Sequence, residues 1–482
     1  MILSADSNGG SENPWRLLAG RRVLALNVIG YAALFVVNAA HVPWTSQGED
    51  AKRLLFARET TYPIVAAEMV VMLYLFALYF LVLQRWKTLQ FSIGQVVTIA
   101  TVSAFVAWCS VPGVNSADPW AYLEFGRIAG VHGMNPYLHA YPEMHDAYSP
   151  YAWFPLPMPY GPVALLGLIP AAWVSTVNVL LAIYFMKLEW LAAYAVSVWM
   201  LLRILQQTSA HPAYGMFLFA LNPLLLLELI ATGHNDGLVI LFALLSLFFL
   251  QRERGALALW AALLCALVKM SGVLLLVGIT VLLLRKREWR NLSLGGAAVA
   301  LTLLCLKLTL LPTGAAWRNL TNPSSVINFN SLHGWLLFEL TPRIQSLYLN
   351  RPLSGPRLVV AGLFAMFCLW RLLRIRDFAT LVTETANMTI ALIVLYSGQF
   401  FAWYLTWLLP YAALTNSKRL RQGVLLYSFS ALWLYAIPIL WVETDLHLRI
   451  ARWALAHIAP LARLVIPSGP TAESARPAPS SA

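Results

Sequence analysis

A polar segment between long apolar runs carries the first residues whose types suit chemistry. It spans 115–162 and reads NSADPWAYLEFGRIAGVHGMNPYLHAYPEMHDAYSPYAWFPLPMPYGP. Aromatic faces stack on the C–H faces of sugar rings, and prolines stiffen loops. Asp118, at the start of the segment, suits a general base that takes the proton of an attacking hydroxyl. Helix capping is the open alternative, because Asp118–Pro119 is typical of a helix start.

Polar residues at three later positions could likewise have either a functional or a purely structural role. A glycine C-cap followed by an Asn/Asp N-cap explains all of Gly233–Gly237 except His234. Lys269 lies in a turn between apolar runs, so we expect it either to bind phosphate or to pair with an acid. Asn330 belongs to NFNSLHG, which offers amides for sugar hydroxyls or forms a plain polar turn.

Two further groups have a plain structural alternative. Glu124 and Arg127 are spaced i, i+3, which predicts a surface ion pair on a helix. Trp403 and Tyr404 belong to the aromatic cluster SGQFFAWYLTWLLP at 397–410, which is also what an interfacial aromatic belt produces.

The composition indicates the kind of fold that positions these residues. Of 482 residues, 60% are hydrophobic and 11% charged, against roughly 25% charged in soluble domains. This predicts an all-α polytopic membrane protein, a bundle of about 11–14 transmembrane helices. The net charge of +12 falls in short basic clusters between apolar runs, a positive-inside pattern rather than a nucleic-acid surface. The four cysteines have no metal-binding spacing.

With the basic clusters in the cytoplasm, two long outer segments follow, 113–172 and 313–357. Between them we predict a short outer helix from Gly161 to about Ala172, ended near Pro170, and a long helix from Val174 to Leu205. A helix from Tyr214 to Ile230 then exits, and Gly255 to Leu284 form a helical hairpin whose tip is Lys269–Gly272. After the second outer segment, the helices that we predict include one over 402–414 and one over 424–441. The predicted regions are N-terminal transmembrane helices at 1–112, a membrane core at 113–441, and an amphipathic or last helix with a disordered tail at 442–482.

Four motifs, in order, resemble polyprenyl-phosphate-mannose-dependent mannosyltransferases of the GT-C fold class. They are DPWAYLEFGRIAGVHGMNPY from Asp118, MPYGPVALL from Met158, NPLLLLELIATGHNDGL from Asn222, and WYLTWLLP from Trp403. The resemblance covers about 115–414. One departure is Pro119, where the family usually has an aliphatic residue.

The resemblance implies roles for particular residues. Asp118 becomes the general base of an inverting transfer, and Arg127 and Lys269 become candidates for the donor phosphate. The candidates for sugar or acceptor contacts, which join the aromatic and amide positions above, are Asn135, Tyr137, His234, Asn235, Asp236, Asn330, Trp403 and Tyr404.

The resulting hypothesis is a membrane glycosyltransferase. It moves a sugar, mannose by resemblance, from a polyprenyl phosphate to a glycan or glycolipid hydroxyl at the extracytoplasmic face of the plasma (inner) membrane. Because neither a nucleotide-binding loop nor a compact set of metal ligands is visible, we expect neither a cofactor nor a metal. The alternative is a transporter or flippase of a lipid-linked glycan, which predicts pseudo-symmetric halves with broken helices.

Overall fold

A computed structural model describes residues 14–39, 62–110, 116, 118–146, 155–321, 330–331, 333–334, 355–436 and 446–466. The described residues form helices joined by turns and loops and contain no strand, which confirms the all-α prediction. The helices are α1 (Pro14–Ala39), α2 (Tyr62–Gln84), α3 (Ile93–Trp108), α4 (Asp118–Gly130), α5 (Pro162–Val174), α6 (Val179–Thr208), α7 (Pro212–Ala220), α8 (Asp236–Gln251), α9 (Gly255–Ala266), α10 (Val273–Arg285), α11 (Trp289–Leu308), α12 (Gly314–Thr321), α13 (Gly355–Leu372), α14 (Phe378–Ala391), α15 (Leu409–Leu414), α16 (Lys418–Ser430) and α17 (Leu446–Val465).

Shorter segments connect some of these helices. Three are short α-helices, three are 3₁₀ turns and two are π-helical. They are, in that order, Trp86–Leu89, Pro223–Leu225 and Trp433–Ala436; Tyr141–Met144, Met270–Gly272 and Ala402–Leu408; and Leu226–Thr232 and Leu392–Tyr396.

Membrane-spanning lengths occur along most of the chain. Within the described residues five helices are long and apolar enough to span, and a sixth span results if the bent pair Pro212–Ala220 and Pro223–Thr232 is counted as one. Six further apolar helices are shorter. The protein is thus a polytopic membrane protein, while the count of about 11–14 spans stays a prediction.

The predicted hairpin and the outer helix both exist. α9 and α10 form the arms of the hairpin, and Lys269 begins the turn between them. α4 and α5 lie side by side, and a Cβ on Gly126 would come 2.5 Å from the carbonyl oxygen of Leu168. Only glycine permits this approach of two helix backbones. α4 is therefore held at a fixed distance from α5.

Three predicted helices differ from the structure. α5 continues through Pro170 to Val174, so proline does not end it there. The helix predicted over Tyr214 to Ile230 is broken after Ala220 and bends by 44° before a π-helix, because Asn222 and Pro223 start a new helix. The segment 402–414 begins as a 3₁₀ helix and becomes α-helical only at Leu409.

The C-terminal region tests part of the predicted helix over 424–441 and the choice between an amphipathic and a spanning last helix. α16 ends at Ser430, and 437–441 of the span predicted over 424–441 lie outside the described residues. α17 packs on α16, and its Arg452 and His457 are buried. It is not among the helices apolar enough to span, which favours the amphipathic alternative. The tail from 467, and 147–154 and 335–354 of the outer segments, lie outside the described residues.

Several basic clusters meet at one end of the bundle. Arg285 Nη2 donates to the carbonyl oxygen of Leu373 across 2.8 Å, which joins the end of α10 to the arginines after α13. The Arg421 guanidinium lies 5.8 Å from the centre of the Tyr214 ring, and that ring is 5.4 Å from Trp86, beside Arg85. The charge pattern read from the sequence is thus a spatial pattern as well.

Candidate active site

Asp118 is the first residue of α4 and accepts hydrogen bonds from two tyrosines. Its Oδ2 lies 3.3 Å from the hydroxyls of Tyr122 and Tyr160, and its backbone N–H donates to Ser116 Oγ. The side chain keeps 22% of its surface exposed. Burial raises the pKa of Asp118, and the positive charge of Lys269 opposes that rise. Asp118 is therefore an accessible carboxylate with an elevated basicity.

His234 lies directly behind this carboxylate. Its Nδ1 is 3.7 Å from Asp118 Oδ2 and 3.3 Å from the hydroxyl of Tyr122. The ring stacks on Trp403 with a centroid distance of 4.0 Å. Gly233 precedes it as the C-cap of the π-helix with φ +98°, a conformation that favours glycine. The predicted glycine cap is thus confirmed, and it turns His234 into the site.

Asp236 and Lys269 form a buried ion pair beside Asp118. Lys269 Nζ donates to Asp236 Oδ2 across 2.7 Å, and the indole of Trp407 donates to Oδ1 at the same distance. The ammonium lies 5.1 Å from the ring centre of Tyr160 and 5.7 Å from that of Tyr404. Lys269 therefore has the acid partner that the sequence allowed, and it remains 11% exposed.

The Tyr160–Gly161–Pro162 segment brings Tyr160 to this pair. The N–H of Gly161 donates to the carbonyl of Val268, and that of Val163 donates to Leu267. A Cβ on Gly161 would come 1.9 Å from the oxygen of Leu267. The loop therefore docks directly on the end of α9, one residue before Lys269, and glycine is required for the approach.

Asn235 is fully buried at the start of α8, between His234 and Asp236. It occupies the predicted N-cap position, but its side chain makes no capping hydrogen bond. Among the described residues, neither its Oδ1 nor its Nδ2 has a hydrogen-bond partner. A buried amide of this kind costs free energy unless something else satisfies it. The described protein therefore leaves the hydrogen-bonding groups of this amide unsatisfied.

Arg127 lies at the other end of α4, about 13 Å along the helix from Asp118. Its guanidinium donates to Asp146 across 2.6 Å, to Ser175 Oγ across 2.6 Å and to the hydroxyl of Tyr141 across 3.0 Å. Arg127 and Glu124 are both buried, which excludes the surface location of the alternative ion pair. The helix face that carries them packs inward, which their spacing alone does not reveal.

Three other predicted contact residues brace the outer segments. Asn135 Nδ2 donates to the carbonyl of Leu310, and its Oδ1 accepts from the N–H of Tyr137. The hydroxyl of Tyr137 donates to the carbonyl of Tyr160. Asn330 Nδ2 donates to the carbonyl of Phe400. These residues shape the loops around the site, and their contact with substrate stays a prediction.

The structure thus gathers seven of the eleven predicted residues. Asp118, Lys269 and the His234–Asp236 run lie together with Trp403 and Tyr404. Sequence reasoning missed Glu228, whose Oε2 is 3.4 Å from His234 Nε2. An acid inside the apolar run LLLLELI is costly in a membrane, and that was the available signal. The other missed residues are Tyr122, Tyr160, Trp407 and Tyr435.

In the described part of the chain, no three His, Cys, Asp or Glu side chains are grouped to hold a metal ion. Independence from metal and cofactor stays a prediction.

Known proteins resemble this chain in the same region. A family model described as alpha-(1->6)-mannopyranosyltransferase, N-terminal domain, matches residues 18–285. A curated relative, alpha-(1->6)-mannopyranosyltransferase B of Corynebacterium glutamicum, is 25% identical over 236 residues. That alignment covers 47% of this chain and 39% of the relative, so the chain matches well under half of the relative's length. No solved structure matches.

Proposed function

The chain belongs to the alpha-(1->6)-mannopyranosyltransferase family, and from that premise we propose that it transfers mannose within the membrane. The observation that carries the proposal is the grouping of Asp118, His234 and the Asp236–Lys269 pair in one cluster. The matched range 18–285 contains all four residues. Trp403, which stacks on His234, extends the cluster beyond that range.

The proposed donor is a polyprenyl phosphate mannose, and the proposed acceptor is a glycan or glycolipid hydroxyl. A lipid-linked sugar reaches a membrane-embedded site from the bilayer and needs no nucleotide-binding loop. Lys269 supports a phosphate at this position, because an ammonium has three donors and Asp236 engages one of them. The aromatic rings around Lys269 leave the remaining donors few competitors.

The proposed reaction is a single displacement. The acceptor hydroxyl attacks C1 of the mannose while Asp118 takes its proton. The bond between C1 and the phosphate oxygen breaks, and the oxygen keeps the electron pair. Polyprenyl phosphate leaves toward Lys269, whose charge stabilises the developing anion. One glycosidic bond forms as one glycosyl phosphate bond breaks.

The differing exposure of the three acids supports inversion at C1. Asp118 is 22% exposed, whereas Asp236 and Glu228 are fully buried. Asp236 is also neutralised by Lys269. Retention by double displacement needs a second carboxylate as nucleophile. With one accessible carboxylate, the site favours a base and a direct attack.

Substrate contacts follow from what the cluster leaves free. Asn235 offers an unused amide to sugar hydroxyls. Trp403 already stacks with His234 and with Phe401, and Tyr404 stacks with Trp407. We propose that the ring surface they leave uncovered contacts the sugar. Arg127 is engaged by Asp146 at the far end of α4, so we propose that Lys269 alone of the two contacts the phosphate.

The extracytoplasmic orientation is proposed from the basic clusters. Arg285 and Arg421 belong to the basic end of the bundle. Lys and Arg concentrate on the cytoplasmic side of membrane proteins. Asp118 follows α3, which begins after that basic end and runs away from it. The site therefore opens to the outside of the plasma membrane.

The test is label transfer in membranes that contain the protein. Radiolabelled polyprenyl phosphate mannose is supplied to the wild type and to Asp118→Asn, which we expect to lose about 10²–10⁴-fold of the rate. Glu143→Gln, which changes an exposed carboxylate of the same outer segment, is the matched control. Full transfer by a folded Asp118→Asn would refute the base. Absence of transfer from every lipid-linked sugar would favour the flippase.

A further inference from the structure

The C-terminal helix α17 carries a buried histidine that the proposed reaction does not use. His457 is 0% exposed, and both of its ring nitrogens are engaged. Its Nε2 lies 2.6 Å from the backbone carbonyl oxygen of Asn330, and its Nδ1 bonds the hydroxyl of Tyr427. Because a carbonyl oxygen can only accept, Nε2 carries a hydrogen. His457 therefore donates to the second outer segment.

Two hydrogen bonds to backbone carbonyls hold α17 in place. Ser430 Oγ, at the end of α16, donates to the carbonyl oxygen of Ala456 across 2.8 Å. Arg452 donates to the carbonyl oxygen of Leu434. The helix is thus docked on its neighbours, and its histidine acts from a fixed position.

The segment that receives this hydrogen bond is itself bound to the backbone of 396–400. Three of its side chains donate to carbonyl oxygens across 2.7, 2.7 and 3.1 Å: Ser331 to Ser397, His333 to Tyr396, and Asn330 to Phe400. The ring of Phe400 also meets the ring of His457 edge-on, with centroids 4.8 Å apart. His457 therefore contacts both partners of the Asn330–Phe400 bond.

An aromatic stack leads from this point to the candidate base. Phe401, the next residue, stacks on Trp403 with a centroid distance of 4.4 Å. Trp403 stacks on His234 at 4.0 Å, and His234 faces Asp118. The rings of Phe401 and Trp403 thus form an aromatic wall of the site, and the second outer segment holds the backbone that precedes it.

We propose that His457 is a positioning residue that locks the second outer segment onto this backbone and thereby holds the aromatic wall against the donor sugar. The proposal rests on the proposed function, in which Trp403 contacts the sugar. Both residues lie beyond the matched range 18–285. Tyr404 follows the wall, and its ring centre lies 5.7 Å from Nζ of Lys269, the proposed phosphate ligand. The wall therefore lies on the donor side of the site.

Two substitutions separate the hydrogen bonds of His457 from its shape. His457→Phe keeps a ring against Phe400 and removes both hydrogen bonds. His457→Gln removes the ring, and its amide supplies one donor for Asn330 and one acceptor for Tyr427. Ile458→Ala is the matched control, because the side chain of Ile458 follows on the same helix and is 56% exposed.

The first measurement needs no activity. Hydrogen–deuterium exchange of the purified protein, read by mass spectrometry, reports local opening of the backbone. In His457→Phe we expect exchange over 397–404 to speed up about tenfold, which is the effect of one lost hydrogen bond. His457→Gln and Ile458→Ala should exchange like the wild type, and α8 should be unchanged in every variant.

Unchanged exchange over 397–404 in His457→Phe would overturn the proposal. Asn330→Ala removes only the bond to Phe400 and should speed up the same exchange. It tests the route by a smaller change if His457→Phe does not fold, and unchanged exchange there would also refute the route. These results stand even if Asp118→Asn proves fully active, which would sink only the proposed base.

The second measurement is the KM for the lipid-linked donor. A wall that moves weakens donor binding in the ground state and the transition state alike. We therefore expect His457→Phe to raise this KM about tenfold and to leave kcat within about twofold, while His457→Gln restores the KM. A His457→Phe protein that loses only thermal stability, with its KM unmoved, would show a purely structural role.

A double-mutant cycle tests the route through the wall. In a Trp403→Ala background, His457→Phe should raise the KM no further, because the ring that carries the effect is gone. Additive rises would refute the route through Trp403. A His457→Gln protein as impaired as His457→Phe would refute the role of the hydrogen bonds.

Discussion

Lys269 Nζ lies 2.7 Å from Asp236 Oδ2, so the turn of one helical hairpin neutralises a buried carboxylate at the start of α8. Lysine and aspartate come from elements 33 residues apart. Their pairing fixes the hairpin against the helix that follows His234. It also leaves a cation in the site with part of its surface exposed.

The first prediction concerns this pair. Lys269→Met leaves Asp236 charged and unpaired, so we expect a loss of about 3–5 kcal/mol in the free energy of unfolding and loss of transfer. Lys269→Met with Asp236→Asn should recover much of the stability and none of the transfer. Thermal unfolding in detergent and label transfer measure the two. Transfer that returns with stability would exclude Lys269 from phosphate binding.

The second prediction is the acidic limb of the wild type. Burial raises the pKa of Asp118, and a general base works only when deprotonated. The rate should therefore fall as the pH drops through that raised pKa, above the usual aspartate value of about 4. Lys269 lowers the pKa, so Lys269→Met should move the limb further up in any residual activity. A limb below pH 4 would contradict the assignment.

The third prediction separates two buried asparagines. Asn235→Ala removes an amide without a described protein partner, so stability should change by less than about 0.5 kcal/mol while kcat/KM falls about tenfold. Asn222 donates to Ser428 and accepts from the N–H of Leu224. Asn222→Ala should therefore lose about 1–3 kcal/mol of stability. Equal losses of stability in both variants would exclude Asn235 as a ligand contact.

The fourth prediction concerns the docking of the Tyr160 loop. Gly161→Ala places a Cβ against the oxygen of Leu267, so the loop must shift. We expect a stability loss of about 1–3 kcal/mol and weaker transfer, because Tyr160 leaves Asp118. Gly296→Ala on α11 is the control, since its Cβ meets open space. A Gly161→Ala protein as active as Gly296→Ala would contradict the docking.

The fifth prediction tests Arg127. Its guanidinium is committed to Asp146, Tyr141 and Ser175, so Arg127→Met should lose about 3–5 kcal/mol of stability. The KM for the lipid-linked donor should stay near the wild-type value in the folded fraction. A rise in that KM without loss of stability would restore the phosphate role that the sequence resemblance implies for Arg127.

The sequence allowed prediction of much of the fold because apolar length and charge clusters report spans and loops directly. The hairpin with Lys269 at its tip follows from short apolar arms between basic ends. The break after Ala220 was missed although Asn222–Pro223, a pair that marks a helix start, interrupts the apolar run. The prediction that Pro170 ends α5 was wrong, because a proline can lie within a helix when neighbouring groups satisfy the carbonyl that it leaves without a partner.

For the candidate site, too, the sequence predicts the residues better than it predicts which of them lie together. Asp118 and His234 were predicted from local motifs. Their side chains lie 3.7 Å apart because helices separated by more than a hundred residues in the sequence pack together. No local pattern encodes that packing. Arg127 lies on the same helix as Asp118, nine residues later, yet it belongs to a different hydrogen-bond network, that of Asp146. Residues close in sequence were thus grouped too readily, and distant ones too rarely.

The π-helix Leu226–Thr232 sets how Glu228 and His234 meet. In such a helix the backbone hydrogen bonds join residues five positions apart, so each turn contains about one residue more than a turn of α-helix. Removing a single residue there would restore an ordinary ladder and swing everything downstream by about 100°. The chain length of this one turn, and not only the residue types in it, decides whether a histidine stands behind Asp118.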